Sequence, residues 1–178
     1  ITALLPLILI GFSLTKILNS FKNAKTLFLK NHTKLSKLII CSISYEKKYD
    51  LCNIVGLSYH DKMNSVNEWY RQIFAESLGK NKNAKNYISS YGSIDQHSQF
   101  QLYIDGPHDK HYIFFKLSGI LNPISSNSSL IKDYNLINTL EAGAIKTLQQ
   151  KKFLITQIIT NDDFDDYCYQ LLYLIFDI

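Results

Sequence analysis

Arginine is almost missing from this chain: of nineteen basic residues only Arg71 is an arginine and the other eighteen are lysines. That removes the forked guanidinium favoured for reading phosphates and base edges, so the formal charge of +4 does not point to nucleic acid. The lysine- and asparagine-rich run over residues 80–86 contains no aromatic residue on which a base could stack and reads as a solvated turn. Cysteine is scarce and odd in number. Cys41, Cys52 and Cys168 form neither a Cys-x-x-Cys pair nor a disulfide framework, which fits a reducing compartment and a cytoplasmic location. Charge is thin as well: 19% of residues are Asp, Glu, Lys or Arg, against 46% hydrophobic and 13% aromatic. Such a chain is too apolar for disorder, and some of its apolar surface is expected to meet a partner. The apolar opening, residues 1–12, lacks a charged leader and a cleavage site, contains Pro6 and Gly11, and is too short to span a bilayer, so the expectation is a buried helix and no membrane.

No repeat of solenoid length is present; instead, strand and helix patterns alternate, which predicts a parallel sheet covered by helices. Residues 51–57, 87–91, 112–117 and 153–159 read as four strands. Helices are expected from Asp61 for about nineteen residues, over 94–103, over 130–150 and from Phe164 onward, with a loop over 122–129. Residues 35–44 satisfy either a buried strand or a buried helix, and periodicity alone leaves both open.

Two segments carry chemistry. In the first, Trp69, Ile73 and Glu76 are spaced four and three apart and share a helix face, which predicts that the Glu76 carboxylate is drawn toward apolar company. Partial desolvation disfavours the ionised form and makes a glutamate a better proton acceptor near neutral pH; the alternative is a surface pair between Glu76 and Lys80. In the second segment, Ser93 and Gln96 have capping-box spacing, which places Ser93 at a helix N-cap and His97 in the first turns. There the positive end of the helix dipole disfavours an imidazolium. The run Asp105-Gly-Pro-His108-Asp109-Lys-His111 has no recognised metal-ligand spacing, and Ser125-Ser-Asn-Ser-Ser129 lacks the glycines of a phosphate cradle.

The two segments Ala75-Glu76-Ser77-Leu78-Gly79-Lys80 and Asp95-Gln96-His97-Ser98-Gln99 together resemble the motifs of glucose-6-phosphate isomerase in its compact bacterial form, and Ile1-Thr-Ala-Leu-Leu-Pro6 is similar to the residues after that family's Gly-Arg-(Phe/Tyr)-Ser segment. The resemblance implies a three-layer α/β sugar-isomerase lobe, mostly parallel, with helices on both faces, and it favours helix over 35–44. Residues 1–31 would be the end of a first lobe and its connecting helix, and residues 32–178 a second lobe cut short at its C-terminus. By the same resemblance Glu76 would be the base of an aldose–ketose isomerisation between glucose 6-phosphate and fructose 6-phosphate through an enediol, His97 would help open the sugar ring, and Gln72 would contact the substrate. No cofactor and no metal are implied. A homodimer is, because in the family the histidine serves the neighbouring subunit's site. The family's N-terminal lobe, with its phosphate loop and arginine, and its C-terminal lysine segment are not in these residues; a chain beginning at Ile1 and ending at Ile178 is therefore expected to be a fragment, inactive alone. A noncatalytic sugar-phosphate-binding lobe and a degenerate remnant are the alternatives.

Overall fold

A computed structural model describes residues 4–118 apart from 81 and 83, then 128–161 and 164–177. Four strands, β1 (Asn53–Ser58), β2 (Asn86–Tyr91), β3 (Lys110–Ser118) and β4 (Leu154–Asn161), form one sheet in the order β2-β1-β3-β4. Every neighbouring pair is parallel. The helices are α1 (Leu4–Leu9), α2 (Leu14–Lys48), α3 (Asp61–Leu78), α4 (Gly92–Ser98), α5 (Phe100–Asp105), α6 (Ser128–Gln150) and α7 (Phe164–Asp177). The expected α/β class is the one found.

Alternation along the strands builds two cores. Val55, Leu57, Tyr112 and Phe114 face α5 and α6, where Tyr103, Ala144, Ile145 and Leu148 meet them. Ile54, Ile113, Phe115 and Leu117 face the opposite way, onto Met63, Tyr70 and Phe74 of α3 and Leu174 of α7. A sheet buried on both faces explains why β3 reads as an almost unbroken apolar run rather than a period of two.

Glycine is needed at one interior strand position. At Gly56 a Cβ would land on the Tyr87 hydroxyl and the Asn67 side-chain oxygen. Those two groups are bonded to each other, Tyr87 donating to Asn67 Oδ1 at 2.7 Å, and Asn67 Nδ2 donates to the Gly56 carbonyl at 2.8 Å. Asn67 is fully buried, so this junction between β1, β2 and α3 has no water to relax into. Gly56→Ala is expected to cost about 2 kcal/mol in denaturant unfolding, with the m-value unchanged.

Residues 35–44 are helical, inside the 35-residue α2, which is the alternative the family resemblance favoured. Two local expectations are corrected. Where its side chains are described, the opening segment is exposed rather than buried: Leu5, Leu9 and Ile10 keep 62%, 76% and 71% of their surface. Hydrophobicity measures the drive toward burial, not whether a covering surface exists. Residues 94–103 do not form one helix; α4 ends at Ser98 and α5 starts at Phe100. The first three residues of the opening segment, and positions 122–127 of the expected loop with most of its serine run, lie outside the described residues; Ser128 and Ser129 belong to α6.

Candidate functional site

In a parallel sheet, ligands gather beyond the carboxyl ends of the strands. At those ends of β1 and β2 a cleft of about 1190 Å³ opens between α3 and the start of α4, lined by Ser58, Asn64, Glu68, Arg71, Gln72 and Tyr91 among others. The local folding follows from short polar bonds. Asp95 fixes the turn into α4, accepting from the Tyr91 amide at 2.7 Å and the Ser90 hydroxyl at 2.9 Å. The N-cap is therefore Tyr91, not Ser93; its side chain makes no capping bond, and the Asp95 carboxylate four residues on holds its amide instead. Gly92 packs so closely on the Tyr59 ring that a Cβ there would overlap it.

This earlier start reverses the position of His97. It lies in the last turn of α4, exposed, rather than in the first.

Glu76 is also placed differently from the periodicity argument. The buried stripe of α3 is Met63, Asn67, Tyr70 and Phe74. Trp69 and Ile73 sit at its half-buried edge, and Glu76 is exposed. Because successive residues are about 100° apart, a stripe centred one residue away is enough to carry Glu76 out to solvent. Its partner is Gln72, whose Nε2 donates to Glu76 Oε1 at 2.9 Å. That is an i, i+4 contact on the exposed face of α3, and it leaves the second carboxylate oxygen for other donors. Gln72 lines the cleft together with Ala75, and Glu76 follows Ala75 directly. Neither Glu76 nor His97 is part of that lining.

A polar chain that sequence spacing did not single out runs beside this pair. Arg71 meets Glu68 at 2.5 Å, and the Tyr91 hydroxyl donates to the other Glu68 oxygen at 2.6 Å. The Tyr91 bond, with help from Ser89 and the Arg71 charge, holds the Glu68 carboxyl below its ordinary range, while the same bond pushes the Tyr91 phenol up. Glu68 and Arg71 are three apart on a helix, which could have flagged the ion pair; Tyr91 could not be found this way because it arrives from β2. The result is a carboxylate–guanidinium pair held at the cleft mouth by a strand-end tyrosine.

The side chains of the 105–111 run disperse. His108 stacks on Phe153 with ring centroids 3.9 Å apart, Asp105 pairs with Lys151 at 2.7 Å, Asp109 with Lys110 at 2.6 Å, and His111 turns to Glu46. Among the described residues no three His, Cys, Asp or Glu side chains converge as a metal site would require, and no helix is long and apolar enough to cross a membrane.

No protein-family model matches the chain. Curated relatives do. A glucose-6-phosphate isomerase of Methanocaldococcus jannaschii is 34% identical over 116 residues, 62% of this chain and 28% of that protein. One from Campylobacter jejuni is 43% identical over 82 residues, 40% of this chain and 20% of that protein. A probable glucose-6-phosphate isomerase of Halobacterium salinarum is 35% identical over 102 residues, 56% of this chain and 22% of that protein. The matched stretches thus span less than a third of each relative. Among solved structures, the hypothetical protein TT0462 of Thermus thermophilus superposes with a TM-score of 0.75 over 97% of this chain and 45% of that one, at 18% identity, which establishes a shared fold. Over part of its length this chain is thus similar to glucose-6-phosphate isomerases, as the two motifs implied, and it has a four-stranded parallel α/β fold.

Proposed function

We propose that this chain supplies the base of an aldose–ketose isomerase acting on glucose 6-phosphate and fructose 6-phosphate, as part of a larger site. The observation that carries the reading is the Gln72–Glu76 pair, 2.9 Å apart on the solvent face of α3 beside the cleft. It sits in a chain whose relatives are named glucose-6-phosphate isomerases. Closure of the sugar and of a surface outside these residues over the exposed Glu76 carboxylate excludes water from the reacting atoms. Glu76 takes the proton from C2 of the open-chain aldose as O1 gains a proton to give the enediol, and returns it at C1 as O2 loses its proton to become the ketose carbonyl. Gln72 fixes the orientation of the carboxylate through one oxygen and keeps the other toward the substrate. His97 assists ring opening and, being exposed on α4, is available to the active site of a second copy in a homodimer with shared sites. The Glu68–Arg71 pair sets the local charge at the cleft mouth. Residues 1–31 then belong to the end of a first lobe and 32–178 to a second one, in a cytoplasmic glycolytic enzyme that needs no cofactor.

The test begins with the intact mass and N-terminal sequence of the polypeptide made in its source cell, followed by assay of glucose 6-phosphate interconversion with fructose 6-phosphate. A polypeptide ending at Ile1 and Ile178 is expected to be inactive. In an active, longer one, Glu76→Gln is expected to lower turnover by about a thousandfold, while binding of the substrate changes little. Normal turnover in that variant would remove Glu76 from its assigned role.

A further inference from the structure

At the opposite end of the sheet lies a second cleft, of about 660 Å³, floored by Ile54, Phe74, Ile113, Ile158 and Leu174. Glu46, Lys85, His111 and Thr156 share its wall. Parallel pairing puts Thr156 opposite Ile113, two residues beyond the position opposite His111, so the His111 and Thr156 side chains are diagonal neighbours on one face. His111 Nδ1 is 2.6 Å from Glu46 Oε1, and His111 Nε2 is 2.8 Å from Thr156 Oγ1. A carboxylate only accepts, so Nδ1 carries a hydrogen; in the neutral tautomer that this leaves, Nε2 is an acceptor to which the Thr156 hydroxyl can donate. Carboxylate, imidazole and hydroxyl stand in the order that activates an oxygen nucleophile. The first two are 6% and 4% exposed, while Thr156 is half-buried at the cleft surface.

We propose that Glu46, His111 and Thr156 form an acyl-transfer site, separate from the cleft between α3 and α4, that accepts the acyl group of small activated carboxylic esters or thioesters with an apolar acyl chain. The apolar floor and the volume suit such a ligand. Thr156 Oγ1 bonds to the carbonyl carbon as its proton passes to His111 Nε2. The bond from that carbon to the leaving oxygen or sulfur then breaks, and the leaving group takes the proton. Water repeats the two steps on the threonyl ester, releasing the carboxylic acid and restoring the hydroxyl. Glu46 orients the ring and stabilises the imidazolium formed in between. Lys85, which pairs with the other Glu46 oxygen, has further N–H donors for the oxyanion. Burial raises the Glu46 carboxyl, but the bonds from His111 and Lys85 outweigh it and keep the group ionised. The competing nucleophile in the cleft, Cys52, is disfavoured: burial and the Asp109 carboxylate push its thiol up.

The test mixes the protein with 4-nitrophenyl butyrate at neutral pH, follows nitrophenolate release, and maps the butyryl group by peptide mass. The expected result is an initial burst with the label on Thr156. Thr156→Val and His111→Gln are each expected to slow acylation by at least about tenfold, while Thr156→Ser retains it; circular dichroism establishes that each variant is folded. Absence of a burst, a label on Cys52 or a lysine instead, or equal acylation of Thr156→Val would each overturn the proposal. None of these outcomes bears on isomerisation at Glu76.

Discussion

Truncating Phe115 to alanine is expected to destabilise the protein by about 4 kcal/mol and lower its thermal midpoint by about 12 °C. The size follows from where the ring sits. Phe115 is fully buried in β3, a strand paired on both sides, by β1 and by β4. Its ring lies 6.0 Å from that of Tyr70, which in turn meets Phe74 and Tyr87. A close-packed core relaxes only partly around a lost ring, so the cavity term adds to the lost transfer energy. A comparison on the neighbouring strand sharpens the reading. Ile159 of β4 is 47% exposed, and Ile159→Ala is expected to change stability by less than about 0.5 kcal/mol. Equal losses at the two positions, measured by urea unfolding, would contradict the placement of the core. The consequence reaches the candidate site, because α3 rests on Phe115 through Tyr70 and presents Glu68, Arg71, Gln72 and Glu76 on its other side.

How much of this was legible in the sequence depends on what kind of information each feature needs. The four strands and the parallel class follow from local pattern, and each strand lies within about three residues of its expected position. The ambiguous stretch 35–44 could not be settled locally, since Leu38, Ile39, Ile40 and Ile43 suit both structures; in α2 only Ile39 of the four is buried. Periodicity found the right helix for Glu76 but the wrong edge of its stripe. Trp69 is large enough to touch the core from the margin, and its weight pulled the expected face toward Glu76. His97 was misplaced by a different mechanism: Ser93 and Gln96 have the spacing of a box, yet the Asp95 carboxylate reaches back to the Tyr91 amide and the helix starts two residues earlier. Tyr91 with Glu68, and Glu46 with His111, join residues 23 and 65 positions apart. No local spacing encodes such pairs; only the order in which strands enter the sheet brings them together.

The Glu46 network makes the second large prediction. Glu46 reaches from the end of α2 to His111 on β3 and to Lys85 before β2, so one carboxylate fastens the long helix to two strands. Removing it leaves a buried imidazole without its acceptor and a lysine whose only described ion pair is gone. Glu46→Ala is expected to cost about 3 kcal/mol, toward the low end for a buried pair because Lys85 remains 23% exposed and can turn to water. The pH dependence has a definite sign. Glu46 is held below its ordinary value of 4.5, so it releases its proton more readily folded than unfolded. Its contribution is complete above that value and is lost as the pH falls through the lower, folded one. Unfolding of the wild type measured from pH 7 downward should therefore steepen below about pH 4.5 relative to Glu46→Gln. Other carboxylates held low, such as those of Glu68 and Asp109, titrate in both proteins and cancel in the difference. If the two curves stay parallel through that window, Glu46 does not anchor α2 as an ion. The same helix, loosened at its C-terminal end, would also withdraw the carboxylate that orients His111, so the acid limb of stability and the loss of acylation at Thr156 should fall together.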